Sequence, residues 1–180
     1  MDTLLFSERS IWTMLHGVVL GGGALLGLSA ALFALGTLRV PEPADAVGLR
    51  QERQLGWLTT FIAVALWLTV LVGTYVSFPP YRATPPEGLT DLARYPRSLL
   101  QANPATAWLH SFAMEIKEHV PWIAAMLATA VAVVGMRRPS PLLHEPASRR
   151  MATLLLATCF ALVAGVSLLG VFINKVAPLE

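Results

Sequence analysis

Four apolar stretches of about 20 residues or more divide this 180-residue chain, and a run of that length crosses a hydrocarbon layer as a helix. They cover approximately 11–38, 55–78, 106–136 and 151–176, with polar, proline-containing segments between them. Only 13% of the residues are charged and 55% are hydrophobic, against about 25% charged in ordinary soluble domains. Lipid must therefore be the solvent. The expectation is an all-α integral membrane four-helix bundle forming a single transmembrane domain over 1–180, with a long external loop at 79–105.

Local signals place the helix ends. Ser7, Asn103 with Pro104 behind it, and Ser148 are suited to start helices. Pro79-Pro80 and Pro85-Pro86 end the second span. The third stretch differs from the rest because its first half, 108–119, holds Glu115, Lys117 and Glu118. That half should project as an amphipathic overhang, with a kink at Pro121, which has no N–H to give the Lys117 carbonyl. Asp2, Glu8 and Arg9 stand where a secretory signal would be basic, so the first run reads as a retained span. Cys159 is the single cysteine and excludes an intrachain disulfide or a thiolate zinc site. A net charge of +2, with the basic residues in short loops, gives no nucleic-acid footprint.

Orientation follows from the positive-inside rule. Arg39, Arg50, Arg53, Arg137, Arg138, Arg149 and Arg150 crowd the side of the first and third loops, whereas Arg9, Arg82, Arg94, Arg97 and Lys175 are spread over the other. Both termini and the long loop are expected on the non-cytoplasmic side of a cell inner membrane. Trp12, Trp122 and Tyr75 suit the outer aromatic belt, and Trp57 the inner one.

Ionisable groups within spans are functional candidates, which directs attention to the histidines. His144, beside Glu145 and Pro146, reads as a solvated loop residue. His16 and His119 both lie near the outer edge of their runs, close to Trp12 and Trp122, and helices one and three can lie diagonally across a bundle. Two neutral imidazoles from facing helices would make iron six-coordinate, suited to electron transfer. Gly23 and Gly27, below His16 on the first helix, would admit a flat macrocycle, although the same glycines form small-xxx-small packing motifs. Lys117 could pair with a haem propionate. His110, nine residues before His119, lies about 13 Å further out, so it would serve a second haem, bond a propionate or pack on the long loop. A non-haem metal held by Glu115, His119, His110 and Glu118 is the competing site.

With His16 and the stretch His110-Ser-Phe-Ala-Met-Glu-Ile-Lys-Glu-His119-Val-Pro-Trp in view, the chain resembles the small four-helix b-type cytochrome subunits that anchor respiratory and photosynthetic complexes. The resemblance implies haem b, one group or two, with His16 and His119 as iron ligands and His110, Gly23, Gly27 and Lys117 around it. It also implies electron transfer between quinone or a partner redox protein and the other subunits. No histidine lies in the inner half of any span, so a haem relay across the whole membrane is not implied. The alternative is a haem-free structural or assembly subunit. Transport is disfavoured because the spans hold only hydroxyls such as Thr59, Thr69, Thr129 and Ser167, which can bond to their own backbone. No nucleotide fingerprint, nucleophile elbow or HExxH pattern occurs.

Overall fold

A computed structural model describes residues 7–37, 46–138, 142 and 144–178. The described residues are helical, without strands, and four helices are long and apolar enough to cross a membrane. These are α1 (Glu8–Thr37), α2 (Arg50–Tyr81), α4 (Pro104–Arg137) and α5 (Pro146–Val176). A short helix, α3 (Pro96–Gln101), lies in the connection between α2 and α4. Asp2, Leu38 and Arg39 lie outside the described residues.

Two of the expected helix starts are present. Ser7 caps α1, its hydroxyl accepting from the Ser10 N–H at 3.2 Å, and Asn103 caps α4, accepting from the Ala105 N–H at 2.9 Å with Pro104 in the first turn. The third expectation shifts. Helix α5 begins at Pro146 rather than Ser148, because a proline in the first turn is already set at helical φ and lacks the N–H that would go unpaired there. Ser148 instead donates to the Glu145 carboxylate at 2.8 Å.

The double proline of α2 also behaves differently from expectation. Helix α2 runs through Pro79 and Pro80 to Tyr81, because a π-helical stretch at Gly73–Ser77 precedes them and the prolines fall in the first turn of the final α-helical segment. There their missing N–H groups cost little. Pro121 likewise sits inside continuous α-helix, and the irregular part of α4 lies earlier, at Leu109–Met114.

Each span packs against its neighbours in sequence and α5 closes the ring onto α1, leaving α1 and α4 diagonal. The starts of α1 and α4 and the ends of α2 and α5 share one end of the bundle, termed here the cap end. Arg9 reaches across that end to the Ala177 carbonyl at 3.5 Å. Leu100 of α3 is fully buried there with Tyr81, Leu109, Ala113, Met114 and Ile173, so part of the long connection is an ordered cap. Within the cap, Gly88 takes φ +79°, completing a turn in which Leu89 N–H donates to the Pro86 carbonyl at 3.2 Å.

Apolar surface alone does not hold helices together in lipid, since the tails are as apolar as leucine; close packing and hydrogen bonds do. The core accordingly carries many small residues, including Ala24, Ala31, Ala124, Ala125, Ala128 and Ala152. The tightest backbone approach is between α2 and α4: a Cβ on Gly56 would stand 2.8 Å from the Gly135 carbonyl oxygen, and one on Gly135 would stand 2.8 Å from Thr59 Oγ1. Further along the same contact, the Trp67 indole donates to Thr129 Oγ1 at 2.9 Å and meets Trp122 edge-on at 5.8 Å. Trp122 therefore packs on the core, while Tyr75 (69% exposed) and Trp57 (57%) remain at the surface. Thr60, Thr69, Thr129, Thr153 and Ser167 each donate to the carbonyl four residues earlier, as the hydroxyl reading anticipated.

Gly56→Ala should lower stability by about 1–3 kcal/mol, because the new methyl meets backbone that cannot step aside. Gly36→Ala, with open space at its Cβ, should be neutral or stabilising by up to about 1 kcal/mol. Thermal unfolding of both variants in detergent tests the contrast.

Candidate functional site

Three of the four spans carry a π-helical stretch, and all three lie toward the cap end: Leu15–Gly21 in α1, Gly73–Ser77 in α2 and Leu109–Met114 in α4. Such stretches have a poorer hydrogen-bond register than α-helix and concentrate at functional positions. His16 lies in the first of them, Gly73 opens the second, and Lys117 follows closely after the third. The sequence period conceals all three, since a π turn changes the angle per residue without any distinctive residue type.

His16 points from α1 onto α2. Its Nδ1 lies 2.8 Å from the Thr69 carbonyl oxygen. A carbonyl only accepts, so Nδ1 carries the proton, and in the neutral ring Nε2 is left as the acceptor. The ring lies against Gly73: a Cβ there would stand 2.6 Å from Cε1, 3.1 Å from Nδ1 and 3.2 Å from Nε2. Only glycine at position 73 leaves this imidazole its place.

Lys117 approaches the same region from the diagonal helix. Its stem is half-buried, its ammonium sits in densely packed surroundings, and it lies within electrostatic reach of His16. On the far side it meets α5, where a Cβ at Gly170 would stand 2.7 Å from Nζ.

His119 behaves otherwise. Two residues on from Lys117 is about 200° around a helix, so if Lys117 faces inward His119 faces out. Its side chain is 73% exposed, with Nδ1 donating to the Glu115 carbonyl one turn earlier at 2.8 Å and the Glu115 carboxylate 3.8 Å away. His16 is thus bonded inward to α2 while the side chain of His119 is exposed. Gly27 is occupied by packing, since a Cβ there would be 2.9 Å from the Ile62 side chain and 3.4 Å from Phe61. Gly23 has open space beside it.

His110 bonds to the long connection's near end, where the Tyr81 hydroxyl and its Nδ1 are 2.9 Å apart. Arg82 and Arg97 lie within electrostatic reach of that ring, and Arg82 also stacks over Phe78 at 5.5 Å. Among the described residues no three His, Cys, Asp or Glu side chains are grouped to hold a metal ion, so Glu115, His119, His110 and Glu118 do not form the competing metal site. At the opposite end, His144 is more than a solvated loop residue: its Nε2 is 3.5 Å from the Glu52 carboxylate of α2.

The sequence reading identified His16 and Lys117 but missed Thr69, Gly73, Gly170 and Tyr81. A usable signal exists in hindsight, because Gly73 and Gly170 stand at about the same depth in their spans as His16 and Lys117 do in theirs. Comparison of the chain with protein-family models, with curated proteins and with solved structures finds no match.

Gly73→Ala should destabilise the protein by about 1–3 kcal/mol by driving the His16 ring off the Thr69 carbonyl. Adding His16→Ala removes the collision, so the double variant should lose less than the sum of the two single losses; strict additivity in unfolding measurements would disprove the contact. Tyr81→Phe should cost about 0.5–1.5 kcal/mol, the usual worth of one hydrogen bond, and His110→Ala in that background should cost little more.

Proposed function

We propose that this protein is a haem-free structural subunit of a larger complex in the cytoplasmic membrane, a multi-pass bundle with both termini and the long loop outside. The divergence of His16 and His119 carries this reading: one imidazole is used to join α1 to α2, and the other is turned to the exterior of the bundle. The interior is filled by leucine, isoleucine and alanine side chains in contact with one another. The sidedness rests on the arginines, which are concentrated at the end opposite the cap, including Arg53, Arg137 and Arg150. The exposed Glu115 and His119 give α4 a polar outward face near the cap, where a neighbouring subunit could dock.

A second reading, the b-type cytochrome subunit exchanging electrons with quinone or a redox partner in a respiratory or photosynthetic complex, is favoured by one observation. Both His16 and His119 engage Nδ1 with a backbone carbonyl at 2.8 Å, the arrangement that fixes a ligating imidazole's tautomer and presents Nε2. On this reading the two rings serve separate haem groups, and His119 needs a ligand from outside the chain.

A reduced-minus-oxidised absorption spectrum of the protein, purified from cells supplied with haem precursor, separates the two. The expected spectrum has no Soret or alpha band. Bands that disappear in His16→Ala or His119→Ala would overturn the haem-free reading.

A further inference from the structure

We infer that Lys117 binds the phosphate of an anionic lipid headgroup at the cap-end boundary of the hydrocarbon layer. The part-buried Lys117 ammonium packs against Gly170 of α5, and neither a hydrogen bond nor an ion pair is formed by it among the described residues. A part-buried ammonium with no acceptor is costly unless an anion reaches it. No carboxylate among the described residues pairs with it; Glu115, the acidic residue two positions before it, lies near His119 instead.

The backbone is shaped around the two groups. Gly170 of α5 leaves the space into which Nζ extends, and Gly73 of α2 leaves the space in which the imidazole lies. Two separate spans thus each place a glycine against a polar side chain donated by another.

Depth identifies the ligand's source. From Lys117 to Arg137, from Gly73 back to Arg53 and from Gly170 back to Arg150 is about 20 residues in each case, or ~30 Å of helix, the thickness of the hydrocarbon core. With those arginines at one interface, Lys117, Gly73 and Gly170 stand at the other, level with lipid phosphates. A phosphate there would accept from the ammonium in a charge-assisted hydrogen bond.

The test uses the full chain in a neutral detergent, with unfolding followed by tryptophan fluorescence while phosphatidylglycerol, phosphatidylcholine or inorganic phosphate is added. Phosphatidylglycerol should raise the midpoint in a saturable way and phosphatidylcholine should not. Lys117→Gln should remove most of that rise, whereas Lys175→Gln should keep it. Lys117→Met keeps the stem and removes the charge, so it too should lose the response even where Lys117→Gln folds poorly. An equal response in Lys117→Gln and wild type, or in Lys117→Met and wild type, overturns the site. An equal response to inorganic phosphate alone overturns the lipid as its source.

Discussion

In lipid, two helices stay together only where their backbones can come close enough for dispersion and hydrogen bonds to outweigh solvation by acyl chains. The α2–α4 crossing at Gly56 and Gly135 meets that condition most fully, with the two backbones nearly touching and Thr59 filling the gap between them. That crossing sets the spacing of the remaining contacts. It brings Trp67 within reach of Thr129, leaves the alanine face of α4 for α5, and lets Cys159 of α5 lie 3.4 Å from the Ala124 carbonyl. Position 56 thus governs the pair that the other two spans close upon.

At the cap end the principle changes from close packing to polar anchoring. There α1 is joined to α2 by an imidazole on a main-chain carbonyl, and α2 to α4 by a phenol on an imidazole. Both bonds are part-buried, so the loss of either leaves a polar group less well satisfied. The same end holds the π-helical stretches, which allow side chains to project at angles that regular α-helix would deny. Rigidity below and adjustable geometry above is a division suited to a bundle whose interactions with other molecules occur at one interface.

The four spans were legible because length and hydropathy are sufficient for them: 106–136 was expected and Pro104–Arg137 is observed. Caps at Ser7 and Asn103 were legible because their chemistry is local. The prolines misled, since Pro79 and Pro80 were read as terminators while a preceding change of helical register made them harmless. The pairing of His16 with His119 was reasoned from their depth, their neighbouring tryptophans and the diagonal placing of their helices. Depth was a sound guide to which residues share a level, but azimuth was not available from it, and azimuth decides whether side chains meet. Lys117 and His119 differ by two positions and so face opposite ways, a distinction available from helical geometry once the inward face of α4 is known from Ala124, Ala128 and Val131.

The π-helical stretch at Leu109–Met114 has a consequence for how this chain can vary. Because such a turn accommodates one residue more than its α-helical counterpart, it acts as a joint between two independently phased rods. The rod from Glu115 onward can keep its alanine seam against α2 and α5 while the phase of the turn before it changes. A single-residue insertion or deletion there would leave the lower bundle intact and swing His110 away from Tyr81, so the cap can diverge in related chains without the bundle having to be rebuilt.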